Sequence, residues 1–284
     1  MLPQHAGWLL LIVPGLIWGA SFLFIAEGLR SVGPNGVAFL RIFIGFLTLA
    51  CFPQARNAKI DRSAWTRIFF LGLLWFAFPL TMFPYAEQHV SSAMTGMLNG
   101  ANPLFATLVA SYLLKAWPSR NVMLGIAVGL LGTAVMAIPA ANEGQNSPLG
   151  VVMILAAMIS YGFALSIARS LQQEYGAIPV IWRAQAVGMI LTAPLGVPEV
   201  LHANWQLGPV LSLLALGALG TAIANVLMAM AAGKYGAARA SSTTFLIPVV
   251  ALILGVAIRS ERVEPIAIVG GAVCLLGAWL MKRQ

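Results

Sequence analysis

Ten runs of roughly 20 mostly apolar residues fill most of this 284-residue chain. They lie near 7–27, 35–53, 66–86, 90–114, 121–139, 148–168, 178–197, 208–232, 237–258 and 265–281. A helix needs roughly 20 apolar residues to cross the hydrocarbon core of a bilayer. The runs are continuous rather than alternating, which excludes a barrel with a polar lumen. The residues left over make short loops, with no room for a soluble domain. Only 8% of the residues are charged, against about 25% in a soluble domain. So few charges cannot cover a surface that faces water. The expected fold class is therefore all-α, a membrane protein of ten transmembrane helices. The first run lacks a basic leader and is too long for a cleaved signal, so it is expected to be a retained helix.

The formal charge of +8 comes from scattered basic residues with no basic stripe, so nucleic acid is not an expected partner. Cys51 and Cys274 stand far apart in apolar runs, a pattern of neither a disulfide framework nor a metal cluster. Orientation follows from Lys and Arg, which concentrate in cytoplasmic loops. With the N-terminus inside, the inner segments hold Arg56, Lys59, Arg62, Arg67, Lys115, Arg120, Arg169, Lys234, Arg239, Lys282 and Arg283. The outer loops hold Arg30, Arg259 and Arg262. Both termini are expected in the cytoplasm.

The two halves of the chain resemble each other. Trp18-Gly19 recurs as Tyr161-Gly162 and Arg41 as Arg183, while Pro103, Gly125 and Gly132 recur as Pro248, Gly270 and Gly277. The order is kept throughout. Five spans per half is an odd number, so the second copy is expected upside down relative to the first. Residues 1–140 and 147–284 then form two inverted five-helix repeats around a central cavity, the architecture of secondary transporters.

On these residues the chain resembles the drug/metabolite transporter superfamily, in its ten-helix branch of paired EamA-type domains. The resemblance rests on Leu16-Ile17-Trp18-Gly19-Ala20-Ser21-Phe22, on Arg41, on Ala93 through Asn102-Pro103-Leu104-Phe105, and on the glycine-spaced fifth span. It is closest in character to bacterial exporters of amino acids, aromatic ones included, and related metabolites. Export of a small solute from the inner membrane is what the resemblance implies.

Polar side chains are costly in hydrocarbon and usually face the bundle interior or a wet cavity. In span 1, Trp18 and Ser21 share a face, opposite Tyr161 of span 6. In span 4, Thr95, Asn99 and Asn102 share a face, with Pro103 next to them. Thr244 takes the matching place in span 9. Asn225 shares a face with Thr221 and Met228 in span 8, as Met82 and Tyr85 do with Phe78 in span 3. The expected substrate-binding set is thus Trp18, Ser21, Met82, Tyr85, Asn99, Tyr161, Asn225 and Thr244. Arg41 and Arg183 are read either as snorkelling structural charges or as gating or carboxylate-attracting charges, one near each mouth. The repeats Gly15-x-x-x-Gly19, Gly96-x-x-x-Gly100 and Gly125-x-x-x-Gly129 suit close helix packing. The expected state is a monomer, with a dimer face on spans 5 and 10 left open.

No Asp or Glu falls mid-span, and Glu27 and Glu87 sit at outer span ends. A buried acid commonly relays protons or pairs with cationic drugs. Passive, facilitative efflux of neutral or zwitterionic solutes by alternating access is therefore expected. Proton-coupled efflux of drugs or other metabolites is the alternative. No nucleotide loop is present, no cofactor is implied, and no nucleophile–base pair lies at membrane depth. An intramembrane enzyme and a non-transporting receptor are remote alternatives.

Overall fold

The computed structural model describes residues 9–142, 148–235 and 241–281, and helix is the regular structure throughout them. Twelve α-helices follow one another. They are α1 Leu9–Gly28, α2 Pro34–Ala50, the short α3 Pro53–Asn57, α4 Arg62–Ala86, α5 Ser92–Asn99 and α6 Asn102–Leu114. Then come α7 Arg120–Asn142, α8 Pro148–Tyr175, α9 Ala177–Leu201, α10 Leu207–Tyr235, α11 Leu246–Arg259 and α12 Pro265–Leu280. Six stretches are long and apolar enough to cross a membrane alone, in α1, α4, α7, α8, α9 and α10. The apolar helices α2, α6, α11 and α12 are shorter. Residues 237–240 of the expected ninth span lie outside the described residues.

Local chemistry sets the boundaries. Pro34 and Pro265 open α2 and α12, where a missing N–H costs nothing. Ser91 caps α5 by accepting from the Met94 amide at 3.2 Å. The expected fourth span is not one helix. It breaks at Gly100-Ala101, because Pro103 has no N–H for the Asn99 carbonyl and restarts the chain as α6. The ninth span is interrupted at the matching place, where a 3₁₀ turn, Ser241–Phe245, precedes α11. Two π-helical stretches also match: Gly72–Ala77 within α4 and Leu216–Ile223 within α10.

The helices pair across the halves. α2 packs on α9, α5 on α11 and α7 on α12. α1 packs on α10 and α11, as α8 packs on α4 and α6, and the π stretches of α10 and α4 lie on α2 and α9 respectively. Exchanging the two halves maps these contacts onto one another, except that of α5 on α11, because the counterpart of α5, residues 237–244, lies partly outside the described residues. The glycine spacing of spans 5 and 10 is spent inside the chain: Gly125, Gly129 and Gly132 of α7 face Met281, Gly277 and Cys274 of α12. At one end of the bundle Arg67 pairs with Glu174 at 3.2 Å and Tyr175 donates to Asp61 at 3.1 Å.

Candidate functional site

A chamber of about 600 Å³ lies between the halves, within the range of small-solute sites. Of the residues expected to bind solute, Trp18, Ser21, Asn99, Tyr161, Asn225 and Thr244 line it together. Arg41 lines it as well. The rest of the wall is mostly aromatic and aliphatic, including Phe22, Trp75, Phe76, Phe83 and Met228.

The π stretch of α10 organises one wall. A wider turn leaves carbonyls out of the ordinary i−4 pattern, and side chains collect them. Trp18 Nε1 donates to the Gly220 carbonyl at 3.0 Å. Gln185 Nε2 and Asn225 Nδ2 donate to the Thr221 carbonyl at 2.7 and 3.0 Å. The Thr221 hydroxyl donates to Leu216 O at 3.0 Å and accepts from Arg41 Nε at 3.3 Å. These bonds hold Trp18, Asn225 and Arg41 in place. On the other side Tyr161 packs on Phe83 at 6.1 Å between centroids, and the Ser160 hydroxyl donates to Leu74 O, in the α4 π stretch, at 2.8 Å. Asn102 is among the lining residues, but its Oδ1 is buried without a hydrogen-bond partner and is shielded from a guest in the chamber.

Three expected residues stand elsewhere. Met82 packs against the apolar core. Tyr85 Oη accepts from Asn35 Nδ2 at 2.8 Å, outside the chamber. Arg183 donates to Ala55 O at 2.9 Å, Ala58 O at 2.6 Å and Pro179 O at 3.2 Å, so it ties α9 to the segment after α2. In α4 the face turned to the chamber carries Phe76, Leu80 and Phe83, not Phe78, Met82 and Tyr85. Trp75, Thr107 and Gln172 also line the chamber without having been singled out from sequence. Trp75 sits within the π stretch, where the 3.6-residue register used to group faces does not hold.

The chamber is asymmetric along the bundle. One end extends to Gln172, Ala232, Ala278 and Met281, near the ends of α8, α10 and α12. The other stops at Phe22, Ile25 and Phe83, all at most 5% exposed. Beyond this plug, polar bonds cross between the halves. Glu261 accepts from Ser92 N, Ser92 Oγ and Ala93 N at 3.2, 2.7 and 2.8 Å, satisfying the start of α5. Arg259 reaches Glu261 at 3.1 Å and Glu27 at 2.7 Å. Glu199 accepts from Asn35 Nδ2 at 2.6 Å and Gly36 N at 2.7 Å, at the start of α2. Glu87 belongs to the same end. Its two carboxyl oxygens are buried without a hydrogen-bond partner, so this acid is enclosed, although the sequence places it only at a span end.

Comparison with known proteins adds the identity of the fold. The family model of the EamA-like transporter family matches residues 5–138 and again residues 148–283. The chain belongs to the EamA-like transporter family. This EamA-like transporter is 27% identical to the uncharacterized transporter YdfC of Bacillus subtilis over 92% of its own length and 86% of the relative's. It is 26% identical to the “Probable terminal-alkyne amino-acid exporter” of Streptantibioticus cattleyicolor, over 96% and 92% of the two chains. It is 28% identical to the uncharacterized inner membrane transporter YedA of Escherichia coli K12, over 88% and 82%. A crystal structure with 18% sequence identity superposes with a TM-score of 0.65, over 98% of this chain and 96% of that one, and so shares its fold. The protein is thus a multi-pass membrane transporter of the drug/metabolite transporter superfamily, as the resemblance in its motifs implies.

Proposed function

We propose that this transporter exports neutral and aromatic amino acids and related metabolites across the bacterial inner membrane, by alternating access between two inverted halves. One observation carries the reading. The chamber is walled by both halves, reaches one end of the bundle, and is shut at the other by bonds that cross between the halves. A rocking motion that breaks those bonds and closes the opposite end would carry a guest across. The basic inner-segment residues support a cytoplasmic placement of the open end and of both termini, so the structure is read as cytoplasm-open. Trp, Phe and Tyr walls with amide and hydroxyl groups suit a ring and a polar head. A relative named for amino-acid export supports the solute class.

The test is counterflow of L-phenylalanine in proteoliposomes. Wild-type protein is expected to exchange it, and Tyr161→Ala and Asn99→Ala are each expected to slow exchange about tenfold, the order of one lost hydrogen bond or wall contact. Normal rates in both variants, with normal folding, would remove the proposed site.

The passive mode is proposed with it, because no acid lines the chamber among the described residues. Glu87 is the observation that favours the alternative of proton coupling. On the passive reading Glu87→Gln exchanges phenylalanine at the wild-type rate. Loss of a pH-gradient-driven component in that variant would establish coupling instead.

A further inference from the structure

We propose that Arg41 is the anchor for a carboxylate of the transported solute, so that the site selects carboxylate-bearing molecules over amines and amides of the same size. This inference rests on the transport reading above. Arg41 is 5% exposed and is the one charged side chain lining the chamber among the described residues. Its Nε is spent on Thr221, whose own hydroxyl is fixed on the Leu216 carbonyl of the π stretch. The guanidinium makes no ion pair among the described residues. Its terminal nitrogens are not among the buried unpartnered atoms, which leaves them open to the chamber. Glu87 is near enough to act on Arg41 electrostatically, but it neither touches the guanidinium nor lines the cavity.

A buried cation without a partner is expensive, and a guanidinium presents parallel donors that match the two oxygens of a carboxylate. A guest that brings a carboxylate supplies the missing half of the pair. A guest with only an amine meets a positive wall with no counter-charge. The symmetry-related Arg183 is occupied by three backbone carbonyls. The chamber therefore has one such anchor, which places a solute in one orientation, carboxylate toward Arg41 and ring toward the aromatic walls.

The experiment is counterflow of labelled L-phenylalanine with three competitors: 3-phenylpropanoate, phenethylamine and L-phenylalaninamide. Phenylpropanoate is expected to compete at least about tenfold, and up to about 100-fold, better than the two compounds without a carboxylate, the range of a charged hydrogen-bond pair. Arg41→Gln erases that preference, and Arg41→Lys keeps part of it. Equal competition by all three at the wild-type protein would overturn the assignment without needing any variant. So would an Arg41→Gln protein that keeps the preference. Absence of phenylalanine counterflow at the wild-type protein would overturn the export reading and this inference together, whereas counterflow without carboxylate preference overturns the anchor alone.

Discussion

Replacing Glu261 by alanine is expected to open the closed end of the transporter, the outer one in the orientation proposed above. Glu261 joins three donors at the start of α5 to Arg259, and its side chain is only 12% exposed. Its loss leaves Arg259 with Glu27 alone and uncaps the Ser92 and Ala93 amides. Removing one member of a buried pair costs about 3–5 kcal/mol; partial exposure of Arg259 lowers this to about 2–3 kcal/mol, roughly a 30- to 150-fold shift between outer-closed and outer-open forms. In the motion proposed above the halves separate here and these bonds break, so the cost falls on the closed form. The measurement uses Ser21→Cys in a Cys51→Ser background, labelled with a membrane-impermeant maleimide from the Glu261 side. Cys274 is buried and stays. Labelling is expected at least about 30 times faster with Glu261→Ala. Equal labelling rates in a folded protein would show that this cluster is not the seal.

Gly277→Leu is expected to abolish the folded protein. α7 and α12 meet through backbone rather than side chains: a Cβ at Gly277 would fall on Gly129, with the Gly125 carbonyl 2.6 Å away. Backbone cannot swing aside as a side chain can, so the cost exceeds the roughly 1–3 kcal/mol of ordinary overpacking. Ala278 and Met281 of the same helix line the chamber, so displacing α12 also removes a wall. Gly208, with nothing within 4 Å of a Cβ, provides the control. Gly208→Ala should elute and melt in detergent as the wild type does, while Gly277→Leu gives no monodisperse protein. A monodisperse Gly277→Leu would show that the seam can widen.

Burial of polar groups links these results to the sequence. Asn99, Tyr161, Trp18, Ser21, Asn225 and Thr244 were recognisable as chamber candidates because polar or amphipathic groups deep in apolar helices need a partner or a cavity. The same rule selected Tyr85, which finds its partner in Asn35 rather than in the chamber. It could not select Phe76 or Phe83, whose apolar rings look the same from sequence whether they face a neighbour or a guest, and Trp75 was passed over although its indole is as amphipathic as that of Trp18. The α4 face was misassigned because Phe78, Met82 and Tyr85 do share one face of a regular helix, but periodicity does not say which face of a helix that is apolar all round turns to the chamber.

Composition and repetition were enough for the class of molecule. Long uncharged runs point to spanning helices, since only helices and closed barrels satisfy the backbone in lipid and a barrel would need alternating strands, and the recurrence of tryptophan or tyrosine, arginine, proline and glycine in order marks two copies of one unit. The division of labour between the copies was decided in three dimensions. Arg41 and Arg183 hold equivalent places in the repeat, yet one meets Thr221 and an open chamber while the other meets the carbonyls of Ala55 and Ala58. Sequence periodicity assigns a residue to a helix, whereas the groups that reach it from elsewhere in the chain determine whether its charge is already spent or left for a solute.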